Sequence, residues 1–185
     1  EALTELLVQC KISVPEYVRI ERVVRDISAG DVEAGCRRNN LRQEIQKRMR
    51  RRNLTCRCIR CREIGFHRDG AFELVRRDYD ASDGREIFLS FETSERSHLA
   101  ALLRLRIPST FFHPGKPLLP ELEQAALIRE LHTYGQHQLL SERSEASVQH
   151  QGLGKRLMAQ AERIVLEEFQ ISRIAVIAGV GVREY

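Results

Sequence analysis

The sequence predicts an α+β fold, and three observations predict it. Short strand-like stretches occupy the middle of the 185 residues, with turn-forming residues between them. The glycine-rich stretch Gln149-His150-Gln151-Gly152-Leu153-Gly154 then opens a helical pattern, in which Leu157, Ala161, Ile164 and Val165 keep near-helical spacing as far as Phe169. The apolar run Ile174-Ala175-Val176-Ile177-Ala178 follows and suits a buried strand. Antiparallel strands followed by a loop–helix–strand unit make a mixed α+β domain.

In chain order, residues 1–10 read as a helix with Leu3, Leu6, Leu7 and Cys10 on one face, and Pro15 stops the pattern. Residues 17–27 are rich in β-branched side chains and read as a strand that ends at Ser28-Ala29-Gly30. Leu41, Ile45 and Met49 fall at i, i+4 and i+8, which predicts a one-sided helix over 40–52 with a basic outer surface. Strands are expected at 72–79 and 86–91, with Asp83-Gly84 favouring a hairpin turn between them. The alternation in Leu103-Arg104-Leu105-Arg106-Ile107 makes 99–107 a strand rather than a helix. Prolines at 108, 114, 117 and 120 mark a loop, 125–134 returns as a strand, and 135–148 is a polar connection.

The formal net charge of +4 hides a strong asymmetry. Between Arg37 and Arg62 eleven Arg or Lys face one acid, Glu44, so this stretch carries +10 and the remainder −6. Arg48-Met49-Arg50-Arg51-Arg52 sets four arginines within five residues. A charge run is ordinarily a solvated helix face. Mutual repulsion makes this one costly unless phosphates neutralise it, so Arg37, Arg38, Arg42, Lys47, Arg48, Arg50, Arg51 and Arg52 are the candidate nucleic-acid contacts.

Five cysteines, an odd number, do not suggest a secreted disulfide framework. Three crowd together as Cys56-x-Cys58-x-x-Cys61. Unreactive buried thiols would have no need of such spacing, and zinc is the expected occupant. A tetrahedral site needs a fourth ligand, for which Cys36, Cys10 and His67 all stand open. No apolar run approaches the roughly 20 residues that span a bilayer, and no secretory signal opens the chain. A cytoplasmic protein without a membrane partner is expected.

The first N–H groups of a helix lack intrahelical partners, and the helix dipole adds partial positive charge there. Glycines beside such a start let the backbone approach an anion, so Gly152 and Gly154 read as a phosphate cradle. A tight turn needing positive φ is the plainer reading of the same glycines.

Gln149-x-x-Gly152-x-Gly154 resembles the Q/R-x-x-G-x-G/A signature of the GNAT acetyltransferases. The likeness extends through Arg19–Ile27, Arg60-Cys61-Arg62-Glu63-Ile64-Gly65, Glu73–Tyr79, Arg129-Glu130-Leu131-His132-Thr133-Tyr134-Gly135 and the run 174–181. Together these stretches are similar, in the right order, to the family of Elongator catalytic subunits. The resemblance implies residues 1–30 as the tail of a radical S-adenosylmethionine domain, 31–71 as a basic, cysteine-containing linker, and 72–185 as a GNAT acetyltransferase-like domain cut short at its C-terminus. It implies acetyl-CoA held by Gln149, Gln151, Gly152, Leu153, Gly154 and Lys155, with Tyr185 near the thioester as a neighbour of the catalytic acid. S-adenosylmethionine and a 4Fe–4S cluster are implied for the parent protein, the cluster's ligands lying upstream of residue 1. The implied activity is acetyl-CoA-dependent carboxymethylation of the tRNA wobble uridine, with tRNA as partner and a homodimer or accessory Elongator-type subunits as further ones. Two other readings remain beside it: a non-catalytic RNA-binding module with a GNAT-like fold, and a lysine (histone) acetyltransferase.

Overall fold

The computed structural model describes the chain except residues 25–27, 66–70, 114, 116, 118, 135–151 and 180–185. It divides into two compact units, Glu1–Arg62 and Glu63–Tyr185.

The first unit is built on two helices, α1 (Ala2–Ser13) and α2 (Leu41–Arg51), with the short α3 (Ile59–Arg62) at its end. On α2 the predicted face is the observed one, since Leu41, Ile45 and Met49 are all buried. They form a small core with Val8 of α1. On α1 the expected face is not the buried one. Thr4, Val8 and Lys11 are buried, while Leu3 and Leu6 are 44% and 60% exposed and Cys10 is exposed. Periodicity identifies a helix, but which side docks depends on the partner. Here Glu5 lies toward Arg48 of α2 and Arg52 at its C-cap, and that charge match goes with the Val8 face.

Residues 17–24 are irregular, not the strand their β-branched content suggests, and 25–27 lie outside the described residues. A strand needs a neighbour for its carbonyls, and other groups take those of this segment. Arg42 donates to the carbonyls of Ile20 and Glu21 at 2.9 and 2.8 Å, and the amide of Ile59 donates to Val18 at 3.0 Å.

The second unit is a five-stranded sheet in the order β1-β2-β3-β4-β5, comprising β1 (Glu73–Ala81), β2 (Gly84–Glu92), β3 (Leu99–Ile107), β4 (Ala125–Thr133) and β5 (Arg173–Val176). The first four strands pair antiparallel, and β5 pairs parallel to β4. A parallel neighbour needs a crossover, and the long helix α5 (Leu153–Phe169) supplies it. The β1–β2 hairpin turns through Ser82 and Asp83, with φ of 48° and 55°, leaving Ala81 and Gly84 as the last pair. Gly84 therefore lies outside the two-residue turn. Its missing side chain matters because a Cβ there would sit 2.6 Å from the Ile107 carbonyl oxygen. The proline-bearing loop after β3 holds one short helix, α4 (Ser109–Phe112), and a 3-10 turn at Pro120–Leu122.

Helix α5 buries Leu153, Leu157, Ala161, Ile164 and Val165. They pack toward the sheet face that carries Arg76, Leu89 and Leu103, which are cross-strand neighbours. Arg76 marks that face, because it reaches Glu168 of α5 at 2.7 Å. Each fully buried leucine or phenylalanine in this layer contributes about 1.5–3 kcal/mol of transfer free energy.

Candidate functional site

Two features of the sheet set up the end of α5. Strand β5 pairs only with residues Ala125–Ile128 of β4, although β4 runs on to Thr133. At the point where that pairing stops, the β3–β4 register shifts, since Arg104 pairs with Glu130 but Leu105 with Ile128. Arg129 is the extra residue, a β-bulge that bends β4. Its guanidinium donates to Glu86 Oε1 at 2.7 Å, and that same oxygen accepts from Arg106 at 2.8 Å. The bulged half of β4 thus leads, with no β5 partner among the described residues, toward the start of α5. Ligand sites of parallel α/β units lie at this carboxyl end of the strands.

At that start Gly152 is the N-cap residue, with φ 63° and ψ 23° in the left-handed region. Gly152 brings no side-chain cap to the helix, and the first turn holds no acid. Instead Lys155 and Arg156 are both exposed there, two cations placed against the helix dipole. Arg156 is steadied by the ring of Phe91, 4.4 Å from its guanidinium carbon. Among the described residues, a Cβ on Gly152 would meet nothing within 4 Å. Helix-end amides, with open space and two cations that make no ion pair among the described residues, are the parts of an anion cradle.

The residues expected in this cradle differ in what they can offer. Gly154 is buried in the first turn, and Leu153 is 1% exposed, so its side chain belongs to the core and only its amide is left for a ligand. Lys155 is exposed. Gln149, Gln151 and Tyr185 lie outside the described residues. Arg156 and the Arg129 bulge were absent from the sequence-based set. The adjacent basic pair Lys155-Arg156, with no acid in the first turn, was a readable sign for the former. A bulge leaves no sign in a strand's composition.

The three clustered cysteines come together. The sulfurs of Cys56, Cys58 and Cys61 all lie within 4.8 Å of one another. The loop carrying them is held by Arg62, which donates from Nε to the Arg57 carbonyl and from Nη2 to the Glu16 carbonyl, both at 2.8 Å. The Cys61 amide closes the turn onto the Cys58 carbonyl at 3.0 Å. Hydrogen bonds from Cys56 and Cys61 hold the Cys58 thiol well below its usual pKa, while hydrogen bonding with Cys56 and Cys58 pushes Cys61 up. The Cys58 sulfur sheds its proton readily, and the Cys61 sulfur resists adding charge unless a cation shares it. A tetrahedral zinc with bonds of roughly 2.3 Å places its sulfurs roughly 3.8 Å apart, so the donor set fits with slight contraction. Cys10 and Cys36 are exposed and outside this group, and His67 lies outside the described residues.

The basic residues split into two kinds. Arg42 is spent on the carbonyls of Ile20 and Glu21, Arg38 pairs with Glu44 at 2.7 Å, and Arg52 pairs with Glu5 at 2.8 Å. Arg48 lies 3.6 Å from Glu1 and 3.7 Å from Glu5. Arg37, Lys47, Arg50 and Arg51 are exposed and make no ion pair among the described residues. No helix among the described residues is long and apolar enough to cross a membrane.

No protein-family model matches the chain. It is 44% identical to the tRNA uridine(34) acetyltransferase of Dehalococcoides mccartyi, over 99% of this chain and 40% of that protein. It is 42% identical to the Elongator complex protein 3 of Homo sapiens, over 99% of this chain and 34% of that protein. Among solved structures it is similar to archaeal Elp3 of Methanocaldococcus infernus with its N-terminus deleted, at TM-score 0.84 and 41% identity, over 98% of this chain and 44% of that one. The chain spans 34% to 40% of the length of these curated relatives. Over nearly its whole length, then, it is homologous to one segment of the proteins named tRNA uridine(34) acetyltransferase and Elongator complex protein 3.

Proposed function

We propose that this chain supplies the acetyl-CoA site and part of the tRNA surface of an Elongator-type enzyme that carboxymethylates the wobble uridine of tRNA. The observation that carries the reading is the start of α5: a left-handed Gly152, no acidic cap, and Lys155 with Arg156 in the first turn. The names of the homologues point the same way, since acetyltransferases take an acetyl group from a thioester donor.

In this reading residues 72–185 are a GNAT-like domain, residues 31–71 a basic, cysteine-containing linker, and residues 1–30 the tail of a radical S-adenosylmethionine domain. The amides of Gly152, Leu153 and Gly154 cradle the coenzyme's pyrophosphate. Gln149, Gln151 and Lys155 flank it, and the edge of β4 beyond the Arg129 bulge, without a β5 partner among the described residues, accommodates the pantetheine arm. Acetyl-CoA supplies an activated two-carbon group when bound. Tyr185 lies near the thioester. S-adenosylmethionine and the 4Fe–4S cluster serve the parent protein through residues outside this chain.

The other part of the reading is nucleic-acid binding. Arg37, Lys47, Arg50 and Arg51 are its principal phosphate contacts, because Arg38, Arg42, Arg48 and Arg52 already satisfy acids or carbonyls within the fold. Zinc on Cys56, Cys58 and Cys61 is a structural clasp, adding folding free energy rather than chemistry. The protein works in the cytoplasm, and a homodimer or accessory Elongator-type subunits complete the assembly.

The test is to measure acetyl-CoA binding and thioester hydrolysis with and without tRNA. Coenzyme binding in the micromolar range, with hydrolysis stimulated by tRNA, is expected. Binding of tRNA with no coenzyme affinity would favour the non-catalytic RNA-binding module instead. Acetyl transfer to lysine peptides, unaffected by tRNA, would favour the lysine acetyltransferase.

A further inference from the structure

Lys11 is the anomaly of the first unit. It is 2% exposed, on the same buried face of α1 as Thr4 and Val8. A buried ammonium is costly unless an anion meets it. The hydrogen bond its Nζ makes is to Cys61 Sγ at 3.6 Å, fifty residues along the chain. No carboxylate pairs with it among the described residues. The same unit has exposed acids within reach of α1, since Glu5 pairs with Arg52 and Arg48. Lys11 is turned away from them and toward sulfur.

We propose that Lys11 is the charge partner of the cysteine cluster, a fixed cation in the second sphere that stabilises metal-bound thiolates. The inference rests on the reading of Cys56, Cys58 and Cys61 as metal ligands. Three thiolates around a divalent cation leave one negative charge in a half-buried place. One ammonium at hydrogen-bond distance from Sγ cancels it. The donor also fixes the orientation of the Cys61 sulfur, as outer-sphere donors do around metal ligands. Helix α1 is thereby tied to the loop 56–61 through charge as well as through packing.

The experiment compares zinc affinity, by chelator competition, for the full chain and for Lys11→Met, Lys11→Gln and Lys11→Arg. Cobalt(II) is the second probe, read by the thiolate-to-metal charge-transfer bands. Removing an outer-sphere partner typically costs 10–100-fold in metal affinity. Lys11→Met and Lys11→Gln are both expected to lose at least about tenfold and to shift the cobalt bands. Lys11→Arg, which keeps the charge, is expected to stay within about threefold of wild type. Circular dichroism at saturating zinc reports whether each variant is folded, and Lys11→Gln, the more conservative neutral change, decides if Lys11→Met does not fold. Wild-type affinity in Lys11→Gln overturns the proposal, as does a loss in Lys11→Arg equal to that in Lys11→Met, which would make packing the cause. Failure of the wild-type chain to take up zinc or cobalt would instead remove the metal site itself, and the role of Lys11 with it.

Discussion

The guanidinium of Arg129 meets the carboxylate of Glu86 at 2.7 Å across the sheet, at the very residue where β4 bulges and β5 ceases to pair with it. Glu86 is 1% exposed, and the same Oε1 atom also receives Arg106. A bulge bends a strand and interrupts its ladder, so it persists only where something else holds the extra residue. Here an ion pair does so. The consequence is a parallel strand pair that opens toward the N-terminus of α5.

Replacing Glu86 with glutamine keeps the shape and removes the charge. Both arginine partners are partly exposed, which reduces the loss, so a destabilisation of about 1–2 kcal/mol is expected in urea unfolding. The glutamine variant is also expected to weaken acetyl-CoA binding, because the bulge is then less firmly held. An unchanged unfolding midpoint would show that the bulge is fixed by the backbone alone.

The Arg76–Glu168 pair ties β1 to the C-terminal half of α5 and should be visible in pH dependence. The hydrogen bond from Arg76 holds the Glu168 carboxyl below its usual pKa of 4.5. A carboxylate depressed in the folded state adds stability above its unfolded pKa, and that stability is lost as pH falls through the folded value. Glu168→Gln is therefore expected to melt slightly lower than wild type at pH 7. The two curves should converge as pH drops from 4.5 through the lowered value. Because the Glu168 side chain is 43% exposed, the difference is expected to be small. A gap that persists at low pH would mean packing, not charge.

Purified protein is expected to carry close to one zinc per chain. The Cys56→Ser, Cys61→Ser double variant should lose it, with a fall in melting temperature, because structural zinc contributes directly to folding. Metal-free wild-type protein that melts as the zinc-loaded form does would remove the zinc assignment.

Arg50 and Arg51 are the exposed arginines of α2 that make no ion pair among the described residues, whereas Arg52 is held by Glu5. Changing Arg50 and Arg51 to glutamine is expected to weaken tRNA binding across all sequences. The slope of log affinity against log salt should flatten by roughly 0.7–0.9 per lost contact. Arg52→Gln alone should affect tRNA less than either. Equal affinity and slope in the double variant would leave those arginines as a solvated face.

Where periodicity and packing agree, the sequence was a good guide. Strand 99–107 and the helix faces Leu41-Ile45-Met49 and Leu153-Leu157-Ala161-Ile164 are observed as expected. Each of these is largely apolar along the face or faces it buries, β3 on both sides of the sheet and the two helices along one stripe. The buried side of α1 was not legible, because Leu3 and Leu6 are as apolar as Val8 and only the acid–arginine match with α2 tells them apart. The segment 17–24 has strand composition but lends its carbonyls to Arg42 and the amide of Ile59, a choice made by residues distant in sequence. The same holds for the sites. Spacing brought the three cysteines to notice, while Lys11 and Arg129 became visible only when α1 and β4 found their neighbours.

The central claim is that the first turn of α5 holds the coenzyme's pyrophosphate, and titration calorimetry of acetyl-CoA against Gly152→Ala and Gly154→Val tests it most directly. At Gly152 a side chain is strained by the φ of 63° rather than by crowding, so the alanine variant is expected to fold with a loss of roughly 1–2 kcal/mol in stability. Both variants are expected to bind acetyl-CoA at least tenfold more weakly, about 1.4 kcal/mol, while their tRNA affinity stays at the wild-type value. Folded variants that bind acetyl-CoA as tightly as wild type would contradict the account.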